Sequence, residues 1–316
     1  METVTNRRYS EEHFWRSRHL RLNDLKKEAQ GLVNQYLFKD NIPEYPHPEF
    51  VVSHVKHDTD EEGLRCISED NGFKDPMKDQ SSGLDLLWWS LSVGPDEIKS
   101  AERRLLEKTY PDQTEEELQE QQGFLEKFTT SPAFLKSSRL GSYRFTFPLE
   151  DLLEAYREQF CSGAPPVMRV FKTILYKQEV NYVVLVHSPD QDQFSDYPLL
   201  TEDPDAVCTY RDGCFIWRPE AMSETHRYEL IEGPDQMEVK KLSRRHEFYV
   251  WDNVSIALHV DEQVLNFDAG RLRDNLKFCS EGYPLIIPHY KFNDFQKAEQ
   301  LVNNLWSDHS PLEKDE

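Results

Sequence analysis

Apolar residues recur along this chain in two rhythms, one near the helical period and one near two. The helical rhythm comes first. Ser10 followed by Glu11 and Glu12 reads as a helix start, because a serine hydroxyl accepts from early backbone N–H groups and acidic residues suit the positive end of the helix dipole. Phe14, Leu20, Leu22, Leu25, Leu32, Val33 and Tyr36 then predict one long amphipathic helix ending near Phe38, basic in its first half and apolar in its second. Residues 1–9 read as a loose tail. Asp40 to Glu49 holds Pro43, Pro46 and Pro48, so it cannot continue a helix and forms a linker. Phe50 to His57 is a β-rich run of strand length. Asp58-Thr59-Asp60 caps a short helix with Leu64 and Ile67 on one face, and Asn71-Gly72 ends it. Leu86 to Val93 is a second strand, broken by Gly94-Pro95-Asp96, which caps a helix running to Lys108.

Residues 109–123 are acidic and form a surface helix or insertion. Tyr143 to Phe147 alternates as a strand, and Leu149 to Phe160 is helical. The second half is mainly strand. Val167 to Tyr176 and Asn181 to His187 form a hairpin or neighbouring pair, with Val183 to Val186 apolar enough to be central. Cys214 to Trp217 and His226 to Ile231 are further strands, while Asp235 to Arg245 is charged and loop-like. Phe248 to Trp251 and Ser255 to Val260 read as two short strands separated by Asp252-Asn253, and residues 271–279 as a helix. The fold class is therefore α+β: an N-terminal helical arm over 1–40, a single domain over 41–306 with peripheral helices, and a flexible tail over 307–316.

Composition narrows the classes. Only 38% of the 316 residues are hydrophobic, yet 14 Tyr, 18 Phe and 6 Trp can fill a core, so the chain is not wholly disordered. No apolar run approaches the roughly 18 residues that span a bilayer, and Met1 to Leu22 lacks a signal-peptide core. With 37 basic against 58 acidic residues, the net charge of -21 disfavours binding to duplex nucleic acid. Arg7, Arg8, Arg16, Arg18 and Arg21 form the one candidate basic patch, with a solvated helix face as the alternative. Cys66, Cys161, Cys208, Cys214 and Cys279 are odd in number and lack a CxxC pair. They read as reduced thiols in a cytoplasmic protein with no metal site.

P-loop, dinucleotide-fingerprint, HExxH and GxSxG motifs are absent, and glycine is scarce. The most specific constellation is His57-Asp58-Thr59, then Leu64 and Ile67, then Gly72-Phe73. It resembles the opening motif of the ADP-ribosyltransferase-like (poly(ADP-ribose)-polymerase-like) fold, where His, Gly and a hydroxyl residue end the first strand. Here Asp58 stands at the Gly position. Trp88-Trp89-Ser90, ahead of a capped helix, resembles the family's second marked strand, which carries Tyr and a small residue. His246-Glu247-Phe248-Tyr249-Val250-Trp251-Asp252 resembles its late segment, in which a Glu opens a strand.

The resemblance implies a split β-sheet core over roughly 50–265, with the strand Val51–His57 central and beside the strand Phe248–Trp251. It implies NAD as cofactor: His57 and Thr59 would hold the nicotinamide ribose, Trp88 or Trp89 with Ser90 would form the ring site, and Glu247 with His57 would be the catalytic residues. Glu179, before the strand at 181–187, is a competing assignment for the carboxylate. Asp58 puts bulk and charge where the cofactor's carboxamide would approach. The segments LLWWSLSVGP, FLEKFTTSPAFL and VMRVFKTILYKQEV also resemble fish virus- or interferon-induced proteins, which implies antiviral innate immunity. Three functions stay open: a diverged transferase-like protein binding NAD or an ADP-ribose-like ligand, a catalytically inactive module that contacts a protein partner, and an interaction protein of unrelated fold.

Overall fold

The computed structural model describes residues 1–5, 10–40, 42, 44–75, 78–79, 81–201, 203, 205–211, 213–220, 227–242, 249–282, 291–307 and 310–315. The chain opens with the antiparallel pair β1 (Glu2–Thr5) and β2 (Glu11–Arg16), then α1 (Leu22–Glu28). After the proline-rich linker come β3 (Phe50–Val52), β4 (His54–Thr59), α2 (Glu61–Asp70), β5 (Gly72–Phe73), β6 (Leu86–Ser92), α3 (Pro95–Thr109) and α4 (Glu115–Glu120). The middle holds β7 (Tyr143–Pro148), α5 (Leu149–Phe160), β8 (Val167–Tyr176) and β9 (Glu179–His187). Then follow β10 (Cys208–Arg211), β11 (Cys214–Trp217), β12 (Tyr228–Glu232), β13 (Met237–Lys241), β14 (Trp251–His259), β15 (Leu265–Asn266), α6 (Ala269–Asp274), β16 (Leu276–Phe278), α7 (Phe295–Leu305) and β17 (Glu313–Lys314). The protein is a mixed α+β fold with one large mixed sheet. No helix among the described residues is long and apolar enough to cross a membrane.

Ten strands form the main sheet in the order β1-β2-β8-β9-β14-β6-β4-β7-β16-β17. Pairing is parallel at β9–β14 and β16–β17 and antiparallel elsewhere. β14 is buried at every position, and its run lacks polar–apolar alternation because both faces of the sheet are covered there. One face builds the larger core, in which Trp89, Phe145, Phe147, Val184 and Ile256 meet Leu64 of α2, Leu152 of α5 and Val302 of α7. The opposite face carries a smaller apolar cluster around Phe171, Val183, Leu185, Phe194 and Ala257. Local chemistry sets the helix that later borders the site. The Asp60 carboxylate accepts from the Gly63 N–H of α2, and Asn71 ends the helix in the left-handed region at φ 50°.

Several expectations are corrected. The helical arm is not a helix over 10–38: only Leu22–Glu28 is helical, and Val33, expected on the buried face, is fully exposed. Residues 2–5 and 11–16 are strands of the main sheet instead. β2 satisfies the ladder of β8, which would otherwise be an open edge, and Phe14 and Trp15 are buried on its two sides. Two adjacent buried aromatics fit a strand covered on both faces and fit one helical stripe poorly. The tail is also built in: β17 pairs with β16, and Leu312 is buried.

Val51–His57 is divided at Ser53, with β3 in a separate three-stranded sheet beside β11. β4 and β14 share the main sheet but are not neighbours, since β6 lies between them. Of the two strands expected around Asp252-Asn253, Trp251 and Ser255 to His259 belong to one continuous β14 that includes the intervening residues. Tyr249 and Val250 lie outside any strand, and Phe248 lies outside the described residues. The charged stretch after Asp235 supplies β13. Residues 271–279 divide between α6 and β16. The arginine patch is spent within the protein: Arg16 pairs with Glu2, Arg18 with Glu28 and Arg21 with Glu220. Arg7 and Arg8 lie outside the described residues.

Because β2 is part of the sheet, Trp15→Ala should cost about 3–5 kcal/mol in urea unfolding. Deleting residues 1–16 should abolish the cooperative transition. A loss below about 1 kcal/mol for the single substitution would show that β2 is dispensable.

Candidate functional site

The main sheet forks between β4 and β6. The two strands pair only from His54↔Ser92 to Lys56↔Ser90. Past that point β4 continues beside β7 as far as Thr59↔Tyr143, while β6 continues beside β14 as far as Leu86↔His259. The ladder that would close the gap is replaced by side chains. His57 Nδ1–H donates to the Trp88 carbonyl at 2.9 Å, and the Asp75 carboxylate accepts from the Leu86 N–H at 2.8 Å. Each is a substitute partner for backbone groups that have lost their neighbouring strand.

A cavity of about 870 Å³ opens at this fork. Strand alternation sorts its walls. Lys56 and Asp58 of β4, Trp88 and Ser90 of β6, and Arg144 of β7 share one face of the sheet, as their registers require. Asn181 of β9 extends this floor, and its amide oxygen accepts from the Ser255 hydroxyl at 3.0 Å. The segment Pro132 to Arg139 walls one side, and Asp75, Lys78, Asp79 and Ser81 contribute to the other. Thr59, Gly63 and Cys66 close the end beside α2. Gly141 sits at φ +140° against Thr59, where a Cβ would fall 2.2 Å from the Thr59 carbonyl oxygen. Only glycine lets the wall approach the strand this closely.

Four of the residues singled out in the sequence, His57, Thr59, Trp88 and Ser90, border this cavity. They do not approach it alike. Trp88 and Ser90 lie on the floor. His57 belongs to the other face, with its ring 5.4 Å from that of Trp89 and 5.2 Å from that of Phe73. Trp89 is buried in the larger core and does not line the cavity, which corrects its assignment to the ring site. The strand period decides between the two tryptophans: neighbouring positions point to opposite faces. Glu247 lies outside the described residues. Among the described residues no group of three or more His, Cys, Asp or Glu side chains is placed to hold a metal ion. All five cysteines are free thiols.

Charge in the cavity wall is dense and mostly compensated. Arg144 is 2% exposed and grips Asp58 through Nε–Oδ1 at 2.6 Å and Nη2–Oδ2 at 2.8 Å. It also donates to the carbonyls of Leu135, Lys136 and Ser137 and to the Asp315 carboxylate. Burial works to raise the Asp58 carboxyl, but the charge and hydrogen bonds of Arg144, aided by Lys56, outweigh it and hold it below the usual carboxylate range. Burial lowers the His57 imidazole, so it is neutral at pH 7 despite its bond to the Trp88 carbonyl. Lys172 is paired with Asp79 at 3.1 Å. Lys56 differs: its ammonium reaches the carbonyls of Pro132 at 2.6 Å and Leu135 at 3.0 Å, and it has no carboxylate at ion-pair distance among the described residues.

Lys56, Arg144 and Lys172 were missed in the sequence. Each is a cation in the middle of an apolar strand, in VKH, YRF and FKT. A charge at an inward strand position needs a built partner, and that is the signal that marks them.

Arg144→Met should destabilise the protein by about 3–5 kcal/mol, because Asp58 is left buried without its counter-charge. The sign of the pH effect follows from the depressed Asp58 carboxyl. Its contribution is complete above the ordinary carboxylate value near 4 and is lost as pH falls through the lower folded value. Urea unfolding of Asp58→Asn should therefore lose less stability than wild type on going from pH 5 to about pH 2.5. Equal losses would show that folding does not lower the Asp58 carboxyl.

Compared with protein-family models, curated proteins and solved structures, the chain finds no match in any of the three, so its site is read from its own geometry.

Proposed function

We propose that the fork cavity binds a nucleotide of the NAD or ADP-ribose class, and that the chain holds this ligand without turning it over. The observation that carries the reading is the gathering of His57, Thr59, Trp88 and Ser90 around one cavity. Its volume of about 870 Å³ falls in the range of small-molecule sites, roughly 300–1,000 Å³. The chemistry of the wall suits the ligand. The half-buried Trp88 indole offers a face on which a nicotinamide or adenine ring can stack. Ser90 and Asn181 offer hydrogen bonds to ribose hydroxyls and a carboxamide.

The same residues argue against turnover. The Nδ1–H of His57 is committed to the Trp88 carbonyl, and Asp58 is locked to Arg144. Neither is at liberty to rearrange around a reacting ribose. This also favours a second reading, in which the chain is an inactive module acting through a protein partner. A role in antiviral innate immunity rests on the sequence resemblance alone and belongs to either reading.

Calorimetry of the full chain with NAD and with ADP-ribose is the direct test. Saturable binding of one or both is expected below millimolar concentration, with Trp88→Ala weakening it about tenfold through lost stacking. No nicotinamide should be released from NAD. Absence of binding by both ligands at millimolar concentration would remove the nucleotide reading and leave the interaction module. Steady nicotinamide release would instead make the chain an enzyme.

A further inference from the structure

We propose that Lys56 is a nucleophilic amine that condenses reversibly with the carbonyl carbon of a hydroxylated aldehyde or ketone, such as an open-chain sugar, held in the fork cavity.

The placement of Lys56 carries the argument. It lines the cavity yet is only 4% exposed. Other cations of the same wall are held by carboxylates: Arg144 by Asp58 and Asp315, Lys172 by Asp79, and Arg139 by Glu179. Lys56 alone among these four has no carboxylate partner among the described residues and meets only the backbone carbonyls of Pro132 and Leu135. Two acceptors match the two N–H groups of a neutral amine. The remaining tetrahedral position of Nζ, the lone pair of the neutral form, then has no protein partner among the described residues. A charged ammonium would instead have a third N–H with no acceptor, a costly arrangement for a buried ion.

Electrostatics favour the neutral form in the same sense. Burial, then the nearby Arg144 charge, lowers the Lys56 amine to about 7. Asp58, Cys279 and Asp315 act in the opposite direction without cancelling this. Such an amine is substantially unprotonated at neutral pH, whereas an ordinary lysine, near 10.4, is almost wholly charged.

The surroundings indicate the substrate class. Ser90 stands directly opposite Lys56 in the β4–β6 register, and Ser255 stands opposite Ser90 in the next pair. With Asn181 bonded to Ser255, these groups make a polar row across the sheet, suited to a ligand rich in hydroxyls. In the reaction the Lys56 nitrogen attacks the carbonyl carbon and a C–N bond forms. The nitrogen gives up a proton, the carbonyl oxygen gains one, and loss of water leaves an imine. No oxidant or reductant is consumed, and water reverses the step. Lys56 would react in this way whether or not the cavity also takes a nucleotide.

The test traps the imine. The full chain is incubated near neutral pH with glyceraldehyde and sodium cyanoborohydride, which reduces an imine to a stable secondary amine, and the modified lysines are located by peptide mass spectrometry. Lys56 should be modified at least about tenfold faster than the median lysine, with a rate that rises through a midpoint near 7 and a preference that disappears in urea. Lys172, equally buried in the same wall but paired with Asp79, is the internal control and should remain unmodified. The proposal is overturned if Lys56 reacts no faster than exposed lysines, if its midpoint lies near 10, or if Lys172 reacts as fast. Because the readout is on wild-type protein, a misfolded variant cannot obscure it, and the outcome is independent of whether NAD binds.

Discussion

Arg144 has all three guanidinium nitrogens engaged inside the protein, and the architecture around the cavity depends on that fact. Its fork geometry matches the Asp58 carboxylate on the neighbouring strand, with two bonds between β7 and β4. The remaining donors hold three successive carbonyls, from Leu135 to Ser137, and the carboxylate of Asp315. One side chain thereby ties together two strands, an irregular wall and Asp315, the residue that follows β17. A lysine could not do this, since its three donors lack the planar fork. The Asp58 that departs from the pattern of the resembled family is here the counter-charge of that arginine.

The fork follows from how the two halves of the sheet are covered. β14 and β9 are sandwiched between the two apolar clusters and keep a long, regular ladder of eight paired positions. β4 instead follows β7, whose aromatic residues Phe145 and Phe147 pack with Phe73 and Trp89 in the larger core. The two strands adjacent to the fork therefore answer to different neighbours. His57 bridges the opening with a hydrogen bond while its ring closes the core beneath. The outcome is a cavity whose floor is strand and whose walls are irregular segments fixed by buried cations. A strand scaffold that carries irregular segments is the usual partition between frame and binding surface.

Net charge and local charge tell different stories in this molecule. The excess of acid is carried in part by exposed elements such as α4, where Thr114 and Glu117 form a reciprocal cap. The cavity wall concentrates buried cations, each against a named partner. A count of charges describes the long-range field and solubility, whereas the chemistry of the wall depends on which few groups are desolvated together.

Strongly periodic segments with local punctuation were legible in the sequence. α2, α3, α5, β6, β7 and the β8–β9 pair all occur where spacing, caps and breakers indicated, because those signals act within a few residues. The candidate site was legible in part: His57, Thr59, Trp88 and Ser90 share a cavity, although only alternation along a known strand separates Trp88 from Trp89. Tertiary structure decided the rest. Ser10 to Arg16 carries signals for a helix start, and the open edge of β8 outweighed them, since an unmet row of backbone groups beside a buried tryptophan is costlier than a lost cap. The C-terminal residues have no pattern of their own and take their order from β16 and Arg144. The roles of Lys56 and Arg144 depend on carbonyls and carboxylates far away in the chain. Spacing along a sequence encodes what a segment can do alone, and the partner of a buried charge is chosen by the fold.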